Sequence, residues 1–270
     1  MKNFVITGST KGIGFGLARE FARRGHNVLV SGRTQQAVDA AVQRIEREAK
    51  GKVAGKTADV TRFEDHEALW DAAVDAFGGV DVWVNNAGVA NTTWDIVDVP
   101  TDAVHTMVRT NMFGTMHGSR VAAKRMLAQD HGQIFNMLGG GSDGSIRAGM
   151  GVYGATKRGL DYFTRALVKE MKDTAVQVGQ IRPGMVVTEG MIREAKQDPE
   201  NFEKYKRVMN ILCDDVETVM PFLADKMLAT DKNGAQINWL TTGRITRKFM
   251  FASFNKRDLF SEKLQEQKQS

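Results

Sequence analysis

The chain has 270 residues, of which 42% are hydrophobic and 26% charged, and its formal net charge is +5 at pH 7. This composition fits a globular protein with one substantial core and excludes a disordered chain. The single cysteine, Cys213, excludes an intrachain disulfide and a cysteine-rich zinc site. The histidines show no ligand spacing and are expected to be solvated, so we expect no metal; they are His26, His66, His105, His117 and His131.

No apolar run reaches the roughly 18 residues that a membrane-spanning helix needs. Residues 2–7 form a short apolar run that passes directly into a glycine-rich turn, without the length or cleavage signal of a secretory leader. We therefore expect a cytoplasmic protein without a transmembrane segment.

Short β-branched runs alternate with amphipathic stretches of helical length, a pattern typical of βαβ units. Strands are predicted at residues 3–7, 27–31, 53–58, 81–85, 133–137, 176–181 and 236–240. Helices are predicted to begin near Ile13, Gln35, Arg62, Thr101, Gly151 and Asp215, several of them capped by Thr34, Thr61 and Asp214. The predicted fold class is α/β, a Rossmann-type doubly wound parallel sheet of about seven strands with helices on both faces.

One domain, residues 1–243, is expected to contain this sheet. Within it, residues 188–213 are polar and too long for a simple connection, which predicts a substrate lid. Residues 244–270 form a basic tail, and from residue 241 onward seven basic residues against three acidic ones give a net charge of +4. Most of the positive charge therefore lies in the tail, and we expect no nucleic-acid partner.

The tail also carries apolar residues among its basic ones, namely Phe249, Met250, Phe251, Phe254, Leu259, Phe260 and Leu264. This pattern predicts an amphipathic helix. We expect it to pack against the body of the chain or against a sister subunit, with peripheral contact with an anionic membrane as the alternative.

The first strand runs into a glycine-rich turn that opens a helix. The turn consists of Gly8, Ser9, Thr10, Lys11, Gly12, Ile13 and Gly14. Glycines let the backbone bend sharply and approach a pyrophosphate, and the helix N-terminus offers free N–H groups and a positive dipole. This context, a strand before the turn and a helix after it, predicts a dinucleotide site.

The end of the second strand indicates which dinucleotide is bound. An acidic residue there would bond the ribose of NAD, but this chain has Arg33 and Thr34. Arg33 can pair with a 2′-phosphate, and Lys11 adds a second positive charge from the glycine turn. The pattern favours NADP(H), and the alternative is that both residues are ordinary solvated surface charges.

Two further strand ends are expected to line the cofactor site, because ligands bind at the carboxyl ends of such strands. Asp59 and Val60 close the third strand, and Asn86, Ala87 and Gly88 follow the fourth. A structural role for the asparagine amides, pinning neighbouring strands, is compatible with cofactor binding.

Tyr153 and Lys157 are four residues apart at the start of a predicted helix, which places them on one face. A phenol has an unperturbed pKa near ~10, and a general acid/base near neutrality needs a lower value. A close ammonium shifts the pKa in that direction. Lys157 can also hydrogen-bond the ribose of the nicotinamide.

In order and spacing these motifs, together with Asn111 and the run from Pro183 to Thr188, resemble the short-chain dehydrogenase/reductase family. The resemblance extends from the first strand to about residue 240 and implies that Tyr153 donates or accepts the proton. It implies that Asn111 anchors a proton-relay water, and that the nicotinamide half of the cofactor contacts Pro183, Gly184, Val186 and Thr188. A homodimer or homotetramer is also implied.

One element departs from the family pattern, the serine that polarises the substrate carbonyl. Gly139, Gly140 and Gly141 occupy the stretch where it is expected. The nearest hydroxyl belongs to Ser142, which we assign to this role, with Ser145 as the alternative and a plain glycine loop as the third reading. A lost donor of this kind costs about 2.7 to 4 kcal/mol.

The run from Ile134 to Gly144, with residues 153–160 and 237–241, is similar to the chlorophyll b reductase branch of this family. The resemblance implies an NADPH-dependent reductase acting on a small-molecule carbonyl, such as the formyl group of chlorophyll b or a related tetrapyrrole. Reduction or oxidation of an unrelated small ketone or alcohol is the first alternative. A nonenzymatic NADPH-binding sensor is the second.

Overall fold

The computed structural model describes residues 1–92, 94–252 and 257–266, so Phe254 of the predicted tail helix lies outside the described residues. The strands are β1 Asn3–Ile6, β2 Asn27–Gly32, β3 Val53–Thr57, β4 Val82–Asn85, β5 Gly132–Met137, β6 Val176–Arg182, β7 Val186–Val187, β8 Asp214–Asp215 and β9 Ala235–Asn238. The helices are α1 Gly12–Arg23, α2 Gln35–Glu46, α3 Phe63–Phe77, α4 Thr101–Met107, α5 Gly114–Gln129, α6 Gly151–Glu170, α7 Glu189–Gln197, α8 Pro199–Leu212, α9 Val216–Ala229, α10 Thr242–Met250 and α11 Ser261–Glu266. A π-helical segment, Val108–Phe113, joins α4 to α5.

Seven parallel strands form one sheet in the order β3-β2-β1-β4-β5-β6-β9. This confirms the predicted Rossmann-type fold and each of the seven predicted strands, with ends shifted by one or two residues. The chain order reverses between β1 and β4, which pair with each other directly. The carboxyl ends of strands at such a reversal open a crevice for ligands.

Successive side chains of a strand point to opposite faces of the sheet, and each face packs into its own layer of the core. Phe4 and Ile6 of β1 pack toward α1, α2 and α9. Val5, between them, packs toward α3, α5 and α6. Helices therefore cover both faces, and the strands read as nearly continuous hydrophobic runs because both of their faces are buried.

Of the three predicted helix caps, one is confirmed. Thr34 precedes α2, and its side chain accepts a hydrogen bond from Ala37 N. The prediction for Thr61 was wrong, because α3 begins at Phe63 and the Thr61 hydroxyl donates to Asp59 Oδ1 instead. The prediction for Asp214 was also wrong, because this residue belongs to β8.

His66 corrects the expectation that every histidine is solvated. Its side chain on α3 is fully buried, and Nε2 donates to the carbonyl of Val60 over 2.9 Å. Burial lowers the pKa of His66, so the neutral ring is favoured in the folded chain. The alternation of polar and apolar residues along α3 did not reveal this inward position.

The tail packs on the segment predicted to be a lid, which consists of α7 and α8. Phe260 is fully buried and stacks edge-on against Phe202 of α8, with ring centroids 5.0 Å apart. Lys248 Nζ and Arg257 bind the buried carboxylate of Asp214 at 2.7 and 3.2 Å. In the described part of the chain, the tail thus packs against its own body, while the division of the chain at residue 243 stays a prediction.

The Phe260→Ala variant is expected to lose about 3 to 5 kcal/mol of unfolding free energy, because a buried ring leaves a cavity when it is truncated. Urea unfolding of the full chain measures this loss. Phe251→Ala is the matched control, since its ring is 53% exposed and its removal should change the unfolding free energy by no more than about 0.5 kcal/mol. Equal effects of the two substitutions would contradict the described packing of the tail.

Candidate active site

The glycine-rich turn between β1 and α1 has the geometry that a dinucleotide requires. Gly8 and Gly12 adopt positive φ angles of 62° and 58°, which L side chains rarely adopt. Gly14 allows close packing, because a Cβ there would lie 2.4 Å from Asn86 Nδ2 and 2.6 Å from the Gly8 carbonyl oxygen. The first turn of α1 carries no acidic residue, so its N–H groups and dipole favour an anion.

Buried hydroxyls hold this turn against the neighbouring strands. Ser9 Oγ donates to the carbonyl of Ile6 and accepts from Ser31 N. The Thr7 hydroxyl oxygen accepts from Asn86 N and Ala87 N, at 3.0 and 3.1 Å. Thr10 lies beside Gly32, where a Cβ would come within 2.5 Å of its methyl group.

Lys11 and Arg33, the two predicted phosphate ligands, are exposed at this end of the sheet. Lys11 precedes α1 in the cap position and makes no side-chain capping bond. Neither side chain forms an ion pair with another residue in the described part of the chain. Both charges are thus free to meet a phosphate group.

The residues that follow β3 and β4 have mixed roles. The Asp59 carboxylate is engaged locally, because its Oδ1 accepts from both the amide and the hydroxyl of Thr61. Val60 is buried against Gly114, where a Cβ would lie 2.9 Å from it. Asn86 supports the glycine turn by donating to the carbonyls of Thr7 and Gly8.

Tyr153 and Lys157 lie on one face of α6 beside the end of β5. Lys157 Nζ is 5.8 Å from the centroid of the Tyr153 ring and donates to the carbonyl of Met137 over 3.0 Å. Burial lowers the pKa of Lys157 to about 8. Burial, with a smaller contribution from Glu194, raises the pKa of Tyr153 to about 12.

Desolvation explains both shifts, because removing water disfavours the phenolate of Tyr153 and the ammonium of Lys157. The lowering of the Tyr153 pKa by Lys157, which the family resemblance implies, stays a prediction. The folded chain alone therefore keeps Tyr153 protonated at neutral pH.

Asn111 lies in the π-helical segment and is fully buried. Its side chain accepts from Val89 N and donates to the Val89 carbonyl and to Thr156 Oγ1. A Cβ at Gly88 would lie 3.2 Å from Asn111 Oδ1 and 3.6 Å from Lys157 Nζ. The fold thus brings Gly88, Asn111 and Lys157 together, although they are remote in sequence.

The serine expected to polarise the carbonyl forms a hydrogen bond with an arginine. Ser142 is buried, and its Oγ accepts a 3.0 Å bond from Nε of Arg182. Nη2 of the same arginine forms an ion pair with Asp161. Among the described residues, Ser142 and Tyr153 form no hydrogen bond with each other. The alternative residue, Ser145, donates to its neighbour Asp143. The catalytic role of Ser142 stays a prediction.

Gly139 occupies the position next to the Tyr153 hydroxyl. A Cβ added at this residue would lie 2.3 Å from the Tyr153 hydroxyl oxygen and 3.5 Å from Lys157 Cε. The hydroxyl therefore fills the space that any larger residue would need. The run of glycines was visible in the sequence, but only the fold shows which of them touches the tyrosine.

The Gly139→Ala variant is expected to lower kcat/KM of the proposed reaction by about 10², because displacing a reacting group by about 1 Å has an effect of that size. Gly140→Ala is the matched control: a Cβ there meets only the flexible end of Met150 at 2.7 Å, and neither glycine has a positive φ. Steady-state kinetics of both variants test this. Equal losses would show that the contact with Tyr153 is unimportant.

Beyond β6, Pro183 and Gly184 lead into the short ladder of β7 and β8. Gly184 has a φ of 73°, and Val186 is buried in β7. Thr188 caps α7 by accepting from Met191 N, and its methyl group lies near Gly12, where a Cβ would be 3.5 Å away. The start of the predicted lid therefore lies beside the glycine turn.

The chain belongs to the short chain dehydrogenase family, whose pattern it matches over residues 2–199. The family resemblance read from the sequence is thus confirmed. Family membership and the cofactor-bound structures described below support a nicotinamide cofactor.

Among the curated relatives, the chain is 36% identical over 261 residues to the chloroplastic protein of Arabidopsis thaliana named "probable chlorophyll(ide) b reductase NYC1". That match covers 90% of this chain and 51% of the relative, so the chain spans about half the relative's length. It is 34% identical over 238 residues to the chloroplastic chlorophyll(ide) b reductase NOL of the same plant, covering 86% of this chain and 67% of the relative.

Two solved structures with the same fold carry NADP(H). A serine dehydrogenase complexed with NADP+ has a TM-score of 0.77 and 26% identity, covering 89% of this chain and 95% of its own. A variant of the actinorhodin polyketide ketoreductase with NADPH has the same score and identity, covering 87% and 94%. In the described part of this chain, no helix has the length and apolarity to cross a membrane.

Proposed function

We propose that the chain is an NADPH-dependent carbonyl reductase and that its substrate is a formyl-bearing tetrapyrrole of the chlorophyll(ide) b kind. The observation that carries the reductase proposal is the meeting of Tyr153, Lys157 and Asn111 at the carboxyl edge of the sheet, next to the glycine turn. The Tyr153 hydroxyl is an acid, Lys157 is a cation and Asn111 is a buried amide. Proton delivery beside a bound dinucleotide requires groups of these kinds.

The choice of NADP(H) over NAD(H) rests on charge. Lys11 and Arg33 are exposed and unpaired in the described part of the chain, and no acidic residue stands between them at the end of β2. A 2′-phosphate would pair with the planar Arg33 guanidinium and the Lys11 ammonium. Both solved structures described above also contain NADP(H).

In the proposed mechanism, the chain's residues position the substrate and deliver a proton. Bound NADPH supplies the hydride. Tyr153, which the folded chain keeps protonated, gives its proton to the carbonyl oxygen. Lys157, held by the Met137 carbonyl, stabilises the resulting tyrosinate and orients the ribose. Asn111 anchors the segment through which the proton is resupplied, and Ser142 contributes a hydrogen bond to the oxygen in the role predicted for it.

Apolar side chains are exposed on two loops whose ends adjoin elements of the site. The loop after β4 exposes Ile96 and Val97, which are 72% and 89% accessible, and the loop before α6 exposes Ile146, which is 97% accessible. Ile96 contacts Gly151, two residues before Tyr153, since a Cβ there would lie 2.6 Å from it. Exposed apolar side chains around a cleft commonly mark a binding surface for an apolar ligand. The names of the curated relatives point to the same substrate class.

The test is an assay of the purified chain with NADPH and a panel of carbonyl compounds. Chlorophyllide b should be reduced to its hydroxymethyl product, while chlorophyllide a, which carries a methyl group in place of the formyl group, is the matched control and should be inert. Turnover of small ketones alone would eliminate the tetrapyrrole proposal and favour a general carbonyl reductase. NADPH binding without turnover of any compound would favour the sensor alternative.

A further inference from the structure

A hydrogen bond links the predicted lid to the loop that follows β4. Thr92 Oγ1 donates to Glu194 Oε2 over 2.6 Å, and both side chains are partly buried. Glu194 lies on α7, while Thr92 lies four residues beyond Gly88. The bond therefore joins two segments that are 102 residues apart in the chain.

The loop and the helix each reach another part of the site. The loop begins at Gly88, which is near Asn111 and Lys157. Helix α7 begins after Thr188, which lies beside Gly12 of the glycine turn, where a Cβ would be 3.5 Å from its methyl group. Helix α7 is therefore held at its start beside the cofactor turn and further along by the Thr92–Glu194 bond.

The carboxylate of Glu194 also acts on the proton donor. In the described part of the chain, the charged groups that face Tyr153 are Lys157 from its own helix and Glu194 from α7. Negative charge beside a phenol disfavours the phenolate, so Glu194 adds to burial in raising the pKa of Tyr153. A protonated Tyr153 is the form that a reductase needs.

We propose that Glu194 is a positioning residue: through Thr92 it fastens α7 beside Tyr153 and places one negative charge next to that residue. This inference rests on the proposed reductase function and deepens it. The charge favours the protonated form of the tyrosine, which is the form that donates the proton in reduction. The bond holds α7 against the loop that follows β4.

Two variants separate the bond from the charge. Thr92→Val removes the hydroxyl and keeps the carboxylate, and it should raise KM for the carbonyl substrate about tenfold with little change in kcat. Thr92→Ser retains a hydroxyl and should restore the KM of the wild type. Glu194→Gln keeps an acceptor oxygen for Thr92 and removes the charge.

The charge is tested by the pH dependence of kcat for reduction. Reduction requires protonated Tyr153, so kcat falls as the pH rises through the pKa of that residue. Glu194→Gln should lower this pKa and move the alkaline limb of the profile to lower pH, while Thr92→Ser should leave it unchanged. Glu200→Gln removes an exposed carboxylate from α8 and controls for the change in net charge.

Hydrogen exchange of the α7 amides provides a readout that does not depend on turnover. With NADPH present, the α7 amides should exchange about tenfold faster in Thr92→Val than in the wild type. In Thr92→Ser they should exchange at the rate of the wild type. Unchanged exchange and KM in Thr92→Val, or an unchanged pH profile in Glu194→Gln, would overturn the proposal. If the wild type reduced no carbonyl compound, the proposed function would fail, while the exchange rates would still report on the bond.

Discussion

The Tyr153→Phe variant should bind NADPH as tightly as the wild type, while its kcat for carbonyl reduction falls on the order of 10³-fold. The substitution removes one oxygen atom, which is the proposed proton donor, and leaves the ring that packs beside Lys157 and Gly139. Fluorescence titration with NADPH gives the binding constant, and steady-state kinetics with saturating cofactor give kcat.

The chain offers a matched control on the same helix. Tyr162 also lies on α6, but its side chain is 78% exposed, so Tyr162→Phe should leave kcat and NADPH binding within about twofold of the wild type. A Tyr153→Phe variant with kcat close to that of the wild type would show that the proton comes from elsewhere. Loss of NADPH binding in that variant would show that the hydroxyl serves the cofactor.

The Arg33→Gln variant should weaken NADPH binding about 10- to 100-fold and leave NADH binding unchanged, because it removes a charge-assisted bond to the 2′-phosphate alone. Calorimetric titration with both cofactors gives the two dissociation constants. Lys11→Gln should act in the same direction with a smaller effect, because an ammonium makes no bidentate bond.

Arg47→Gln is the control for this pair. Arg47 is exposed just beyond α2 and has no ion pair among the described residues, so its removal tests the effect of net charge alone. Equal weakening of NADPH and NADH binding by Arg33→Gln would contradict the proposed phosphate contact. A loss of NADPH affinity in Arg47→Gln as large as that in Arg33→Gln would also contradict this contact.

Much of the fold could be predicted because its signals are local. Strands buried on both faces appear in the sequence as short hydrophobic runs, and the glycine turn between β1 and α1 has a strict local requirement for flexible backbone. The short ladder of β7 and β8 was not predicted, because two-residue strands leave no periodicity. The caps at Thr61 and Asp214 failed because α3 begins two residues after Thr61 and because Asp214 belongs to β8.

The sequence predicted which residues form the candidate site, but it did not predict their burial or their contacts with distant parts of the chain. Tyr153 and Lys157 are separated by one helical turn, so their proximity follows from local spacing. The burial that governs their pKa values depends on β5, α7 and the glycine loop, which are remote in sequence. For the same reason, the contacts of Gly139 with Tyr153 and of Glu194 with Thr92 appear only when the chain is folded.

The central claim, an NADPH-dependent carbonyl reduction, is tested most directly by product stoichiometry. Purified chain is incubated with NADPH and chlorophyllide b, and the pigment and cofactor are separated and quantified. The proposed function predicts one hydroxymethyl product for each NADPH oxidised, and product formed on the order of 10³-fold more slowly with Tyr153→Phe. NADPH oxidised without an alcohol product, or the same product yield with Tyr153→Phe, would contradict it.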